Sequence, residues 1–279
     1  MTPVLHTFHS VNLGAWHFEP TVIAGTFIVV SFYFYGALTQ KGCFVPWRAA
    51  VFLTGVSAIF LSLVSPLDAA ADRLLSMHML QHVFLTTIGP PLVLLGLPPG
   101  LLAPVFSNQR VLKIARLIFN PVATATLFIV NMWFWHVPPV YELALENLYA
   151  HVAMHVAFIA TGLLFWWPVV QPAPALGRVG DGARLLYLFA TGMPMALLAV
   201  MFFASGNVIY DYYNRPDPLW NLDPMDDQQI AGLIMGALGE AASFVAITWL
   251  FFRFLDREEQ AANASASPPA RPADAGPAP

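Results

Sequence analysis

Charge is what this chain has least of. Only 10% of its 279 residues are Asp, Glu, Lys or Arg, against about a quarter in an ordinary soluble domain. There is one cysteine, Cys43, so neither a disulfide framework nor a CxxC site can form within the chain. The net charge is −4 and the basic residues form no patch, so nucleic acid is not expected as a partner. The first twenty residues lack both a basic start and a continuous apolar stretch, and no cleavable signal peptide is expected. Nor does any segment alternate apolar and polar residues over about ten positions, as the strands of a membrane barrel do.

What is present is apolar. Hydrophobic residues make up 58% of the chain and the mean hydropathy is +0.64. The excess comes in runs of roughly 17–25 residues, the length that crosses a hydrocarbon core of about 30 Å. Seven runs stand out: Thr21 to Thr39, Trp47 to about Pro66, Leu74 to about Leu97, Ile118 to His136, Tyr149 to Val170, Leu185 to Ala204 and Ile230 to Phe254. An all-α integral membrane bundle of about seven helices is therefore expected. Residues 21–255 would form the spanning domain. Residues 1–20 precede it, and residues 256–279, rich in Ala and Pro, read as a disordered tail. The pairs Pro90–Pro91 and Pro98–Pro99 are expected to kink and then end the third span.

The few cations give an orientation. One set of connections, with the C-terminal region, holds Lys41, Arg48, Arg110, Lys113, Arg116, Arg178, Arg184, Arg253, Arg257 and Arg271; the opposite set holds Arg73 and Arg215. Cytoplasmic loops carry the excess of Lys and Arg. The N-terminus is thus expected outside and the C-terminus in the cytoplasm, in the cell's inner (plasma) membrane.

On that map all eight histidines fall outside or at outer helix ends. His6, His9 and His17 lie in the N-terminal segment. His78 and His82 open the third span, His136 closes the fourth, and His151 and His155 open the fifth. Each i,i+4 pair stacks on one helix face about 6 Å apart, a spacing at which two imidazoles can share a metal ion. Met79, Met132 and Met154 share or flank those faces. Imidazole and thioether without thiolate suits copper. A single histidine near a helix end is more often an interfacial polar group, and that reading serves for His6, His9 and His17. Methionines in apolar helices mostly pack. Ionisable groups inside spans are rare and by default functional, so His78, His82, His136, His151 and His155 are the metal candidates.

Glu240 is the most deeply placed acid, beside Gly232, Gly236 and Gly239. It reads equally as a protonated acid bonded across a helix contact or as a coupling group. The loop with Asp211, Asp217, Asp223, Asp226 and Asp227 reads as solvated and anchored by its aromatics. Asp68 and Asp72 are expected to pair with Arg73 or to cap the third span.

Four stretches carry a family likeness: WHFEPTVIAGTFIVVSFYFYG, HMLQHVFLTTIGPPLVLLGLPP, WFWHVPPVYELALENLYAHVAMHVAFIATGLLFWWPV and DDQQIAGLIMG. With them the chain resembles the polytopic CtaG family of cytochrome c oxidase assembly factors (not the single-span protein sharing that name). The resemblance implies seven spans and a non-catalytic role in maturing haem–copper oxidases by supplying or inserting copper. It points to His78, His82, His136, His151 and His155. Gly236–Ala237 stands where the family usually has an aromatic, so no role carries over to Met235. The implied partners are the lipid bilayer, a haem–copper oxidase subunit and an outer-face copper carrier. The residues alone leave other readings open. Paired histidines could ligate haem in an electron carrier, hold iron in a di-metal oxidase, or open a copper transport path. No HxxHH box supports the di-metal reading, and the nearly apolar inner halves of the spans weigh against transport.

Overall fold

The computed structural model describes residues 16–40, 42–98, 100–215 and 219–266. His6, His9, Lys41, Asp217 and Arg271 lie outside the described residues. Among the described residues every regular element is helical. In chain order they are α1 (Pro20–Thr39), α2 (Pro46–Val64), the short α3 (Pro66–Ala71), α4 (Leu75–Val83), a π turn (Phe84–Ile88), α5 (Gly89–Gly96) and α6 (Ala103–Phe106). There follow α7 (Gln109–Ile118), α8 (Pro121–Trp135), α9 (Pro138–Glu146), α10 (Leu148–Val170) and α11 (Asp181–Ala204). Last come α12 (Pro224–Leu233), a second π turn (Ile234–Leu238) and α13 (Gly239–Ala266), with single turns of 3₁₀ helix in the loops.

The helix starts follow from the sequence. Six of these helices (α1, α2, α3, α8, α9 and α12) begin on a proline, where the missing N–H would have had no partner in any case. Asn108, Asn120, Asn147 and Asp223 cap α7, α8, α10 and α12, each accepting backbone N–H bonds through its side chain. These caps supply the acceptors that the first turn of a helix lacks.

Six continuous helical rods are long and apolar enough to cross a membrane: Pro20–Thr39, Pro46–Val64, Leu75–Gly96, Leu148–Val170, Asp181–Ala204 and Pro224–Asn263. The chain is a multi-pass membrane protein. The expected fourth span is where the count differs. α8 has only 15 residues, short of the roughly 20 that a span needs, and it meets α7 at a bend of 55°. The bend falls where Asn120 leaves the helical conformation to cap α8, ahead of Pro121. A seventh span exists only if that bent pair is counted as one.

The third span sits at the centre of the bundle and α1 at its rim: 61% of the one and 11% of the other is buried within the protein. Pro90 and Pro91 do not end the central rod. The π turn just before them absorbs the misfit, with Gly89 N–H closing back on Phe84 O. Pro90 leaves the Thr86 carbonyl without its helical donor, and the Trp166 indole of α10 donates to that carbonyl at 3.1 Å. The rod ends at Gly96, just before Pro98, as the sequence suggested.

At the end of α10, Arg184 donates to the Val169 carbonyl. The buried Asp181 carboxylate accepts from Arg184 at 2.8 Å and Arg257 at 2.6 Å, with Arg253 at 3.3 Å. This arginine cluster and His151 thus mark opposite ends of α10. α13 continues to Ala266; residues 267–279, the rest of the stretch expected as a tail, lie outside the described residues.

Candidate metal centre

Three helix ends build the site. α4 presents His78 and His82 one above the other, and its first turn is held from outside its own segment. The Asp227 carboxylate of α12 accepts from Leu75 N–H at 2.7 Å and Ser76 N–H at 3.1 Å. The sequence had offered Asp68 and Asp72 as possible caps. Asp68 instead accepts from Gln81 Nε2 at 2.9 Å and stands 3.7 Å from His17 Nδ1. α8 ends at His136, its C-cap residue, and α9 crosses between α8 and α10. Asn147 then caps α10, so His151 and His155 occupy its first two turns.

The five candidate histidines converge. Ring centroids are 4.4 Å apart for His78–His82, 4.3 Å for His151–His155 and 5.4 Å for His78–His151. His155 lies 6.0 Å from His78 and 5.7 Å from His82, and His136 lies 6.1 Å from His82. All but His151 are buried. One ligand nitrogen each from His78, His82 and His155 falls within 4.8 Å of the others, the spacing of a metal triad. His17 is exposed and pairs with Asp68.

Hydrogen bonding fixes which nitrogens are available. A carbonyl can only accept, so the 2.7 Å contact between His136 Nδ1 and Met132 O puts the proton on Nδ1 and leaves Nε2 as a lone pair. The same logic applies to His78. Tyr213 donates to the Ala71 carbonyl at 3.1 Å, which uses its only proton. It must therefore accept from His78 Nδ1, 2.8 Å away. Burial pushes the Tyr213 and Tyr141 phenols up, so both stay protonated. His78 Nε2, His136 Nε2 and both ring nitrogens of His82 are buried without any hydrogen-bond partner. A buried polar atom left unpaired costs about 1–3 kcal/mol. His151 Nε2 and His155 Nε2 lie 3.1 Å apart, so one holds a proton that the other accepts. Neutral imidazoles with inward lone pairs, backed by fixed Nδ1–H bonds, are the arrangement that metal-binding histidines use.

The methionines divide. Met79 and Met132 line a cavity together with His82 and His136. Met154 is fully buried within the apolar core cluster and is not on that cavity.

The tyrosine scaffold was missed in the sequence. Tyr210 donates to the His136 carbonyl at 2.8 Å and stacks on Tyr141 at 4.1 Å, and Tyr141 in turn lies 5.4 Å from the His78 ring. In the sequence Tyr210 and Tyr213 belong to an aromatic loop that reads as an interfacial anchor. Their only signal was their number in so short a stretch.

The family model described as cytochrome c oxidase caa3 assembly factor matches residues 31–257. An uncharacterised protein of Mycobacterium bovis is 24% identical over 274 residues, covering 90% of this chain and 41% of its own length. One from Mycobacterium leprae is 22% identical over 268 residues, covering 88% of this chain and 40% of its own. The chain thus spans about two-fifths of the length of these curated relatives. No solved structure matches. With its family model covering all the converging histidines, the chain belongs to the family of cytochrome c oxidase caa3 assembly factors.

Proposed function

We propose that this protein binds copper in the five-histidine cluster at the outer face of the membrane and hands it to a subunit of a haem–copper oxidase. The observation that carries the reading is the set of buried, unpartnered ring nitrogens on His78, His82 and His136. A bound cation supplies the missing partner for each. The His78, His82 and His155 nitrogens form the core of the site, with His136 and His151 beside it. Met79 and Met132 offer soft thioether donors on the cavity next to His82, and that mixture favours copper. Rings packed 4.3–6.1 Å apart leave little room for a porphyrin, which weighs against haem.

The outer placement rests on the arginine and lysine bias. The cluster formed by Arg184, Arg253 and Arg257 lies at the end of α10 away from the histidines. The role is delivery rather than catalysis, and the membrane is the plasma membrane in which such an oxidase is assembled. A ligand set with more donors than one ion requires lets copper pass from one partial set to another.

The test is metal analysis. Full-length protein purified in detergent and loaded with copper is expected to retain the ion through desalting. The His78→Ala/His82→Ala variant is expected to lose the copper held by the histidines. Equal retention by both proteins overturns the reading. An absorption spectrum of the same sample checks the haem alternative, for which a Soret band is required.

A further inference from the structure

Glu240, which the histidine site does not use, lines the same cavity as His82 and His136. The cavity has about 60 Å³ of free space. Asp227 caps Leu75, and further along the two rods Gly239, beside Glu240, packs against Val83, where an added Cβ would stand 3.9 Å from Cγ2. The Glu240 carboxylate lies over Gly192 of α11, where an added Cβ would come within 3.4 Å of Oε2.

The wall carries four thioethers: Met79, Met132, Met195 and Met235. They come from four different rods (the third span, α8, α11 and the last span). Chance packing of methionine in apolar helices is common. Four converging on one small cavity that also holds a carboxylate is a donor set. A second observation concerns the backbone. Both π turns, Phe84–Ile88 and Ile234–Leu238, border this cavity, contributing Thr86 and Thr87 on one side and Met235 on the other. Single π turns inside α-helices collect at functional sites because they re-aim side chains.

We propose that this cavity is a second metal station, taking a soft monovalent cation, Cu(I), between the thioethers of Met195 and Met235, with the Glu240 carboxylate balancing its charge. The inference rests on the reading of the histidine cluster as a copper site. Thioethers select Cu(I), and an anionic partner offsets the cost of a cation at this depth. Met132, one turn before His136 on α8 and on the same cavity wall, forms the step between the two stations.

The experiment is an anaerobic titration of the full chain in detergent with Cu(I) against a competing Cu(I) chelator, with X-ray absorption of the loaded samples. Wild type is expected to hold two ions per chain, with nitrogen and sulfur scattering. Met195→Leu/Met235→Leu conserves volume and Glu240→Gln conserves shape. Each is expected to hold one ion, and the methionine double variant to show weaker sulfur scattering. His78→Ala/His82→Ala is expected to keep the inner ion and its sulfur signal. If wild type holds one ion and the inner variants match it, the second station is wrong while the histidine site stands. If the inner variants each lose one ion and the histidine variant loses none, the inner station stands and the histidine reading fails.

Discussion

Asp227 and Leu75, 152 residues apart in sequence, are joined by a 2.7 Å hydrogen bond from the Leu75 N–H to the Asp227 carboxylate. Through it the last span holds the first turn of the helix that carries His78 and His82. Both partners are buried. Asp227→Ala is expected to lower thermal stability by about 0.5–2 kcal/mol, the usual cost of a lost N-cap, and to weaken copper retention with it. Asp227→Asn, which keeps an acceptor oxygen, is expected to recover most of both. A thermal melt in detergent beside metal analysis checks this.

Tyr213 sets the tautomer of His78 by accepting its Nδ1 proton. Tyr213→Phe removes that acceptor and frees the proton to move to Nε2. Loss of such a supporting bond typically lowers metal affinity about 10–100-fold. Chelator competition is expected to show a loss of that size without change in the helical circular dichroism. Unchanged affinity would mean that His78 is not held in this way.

Gly162 of α10 faces the π turn of the central rod, and a Cβ there would stand 3.0 Å from both Cα and O of Thr86. That is the carbonyl bonded by Trp166. Gly162→Ala is expected to destabilise the protein despite alanine's better helix propensity. Gly25→Ala, on α1 with nothing within 4 Å, is the matched control and is expected to leave stability unchanged or slightly raised. Equal melting temperatures for the two variants would count against tight packing at the π turn.

Asp68 gives a pH signature. Burial pushes its carboxyl up to about 6, with Asp72 adding to the shift and the Gln81 amide and His17 opposing it. Because its folded value lies above the unfolded one of 3.8, the neutral acid favours the folded state. That contribution is full at about pH 4 and below and is lost as pH rises through about 6. Asp68→Asn stays neutral throughout. Its melting temperature relative to wild type is therefore expected to rise between pH 4 and pH 7, and a constant difference across that range contradicts the burial argument.

Much of this was legible in the linear chain. Runs of apolar residues long enough to cross a bilayer marked the six continuous rods, because an apolar backbone in lipid must satisfy its own hydrogen bonds. The i,i+4 spacing of His78/His82 and His151/His155 marked two halves of the site, because helical geometry alone puts such pairs on one face. The break at Asn120–Pro121 was less legible: the apolar run continues across it, and hydropathy does not register a 55° bend. The end of the third rod before Pro98 was legible, but what lets it pass through Pro90–Pro91 was not. Proline reports a lost donor but says nothing of a replacement, and the replacement, the Trp166 indole, comes from another helix.

Sequence by itself determined that this protein is helical, apolar and multi-pass, and that its paired histidines each share a helix face. These follow from composition and period, which are local. Only the tertiary structure decided that His78, His82, His136, His151 and His155 meet, and that Tyr213 and Met132 orient two of them. It alone assigned Asp227 the cap, and brought Glu240 and four methionines to one cavity. Those relationships depend on distances between rods far apart in the chain, and helical periodicity does not encode them.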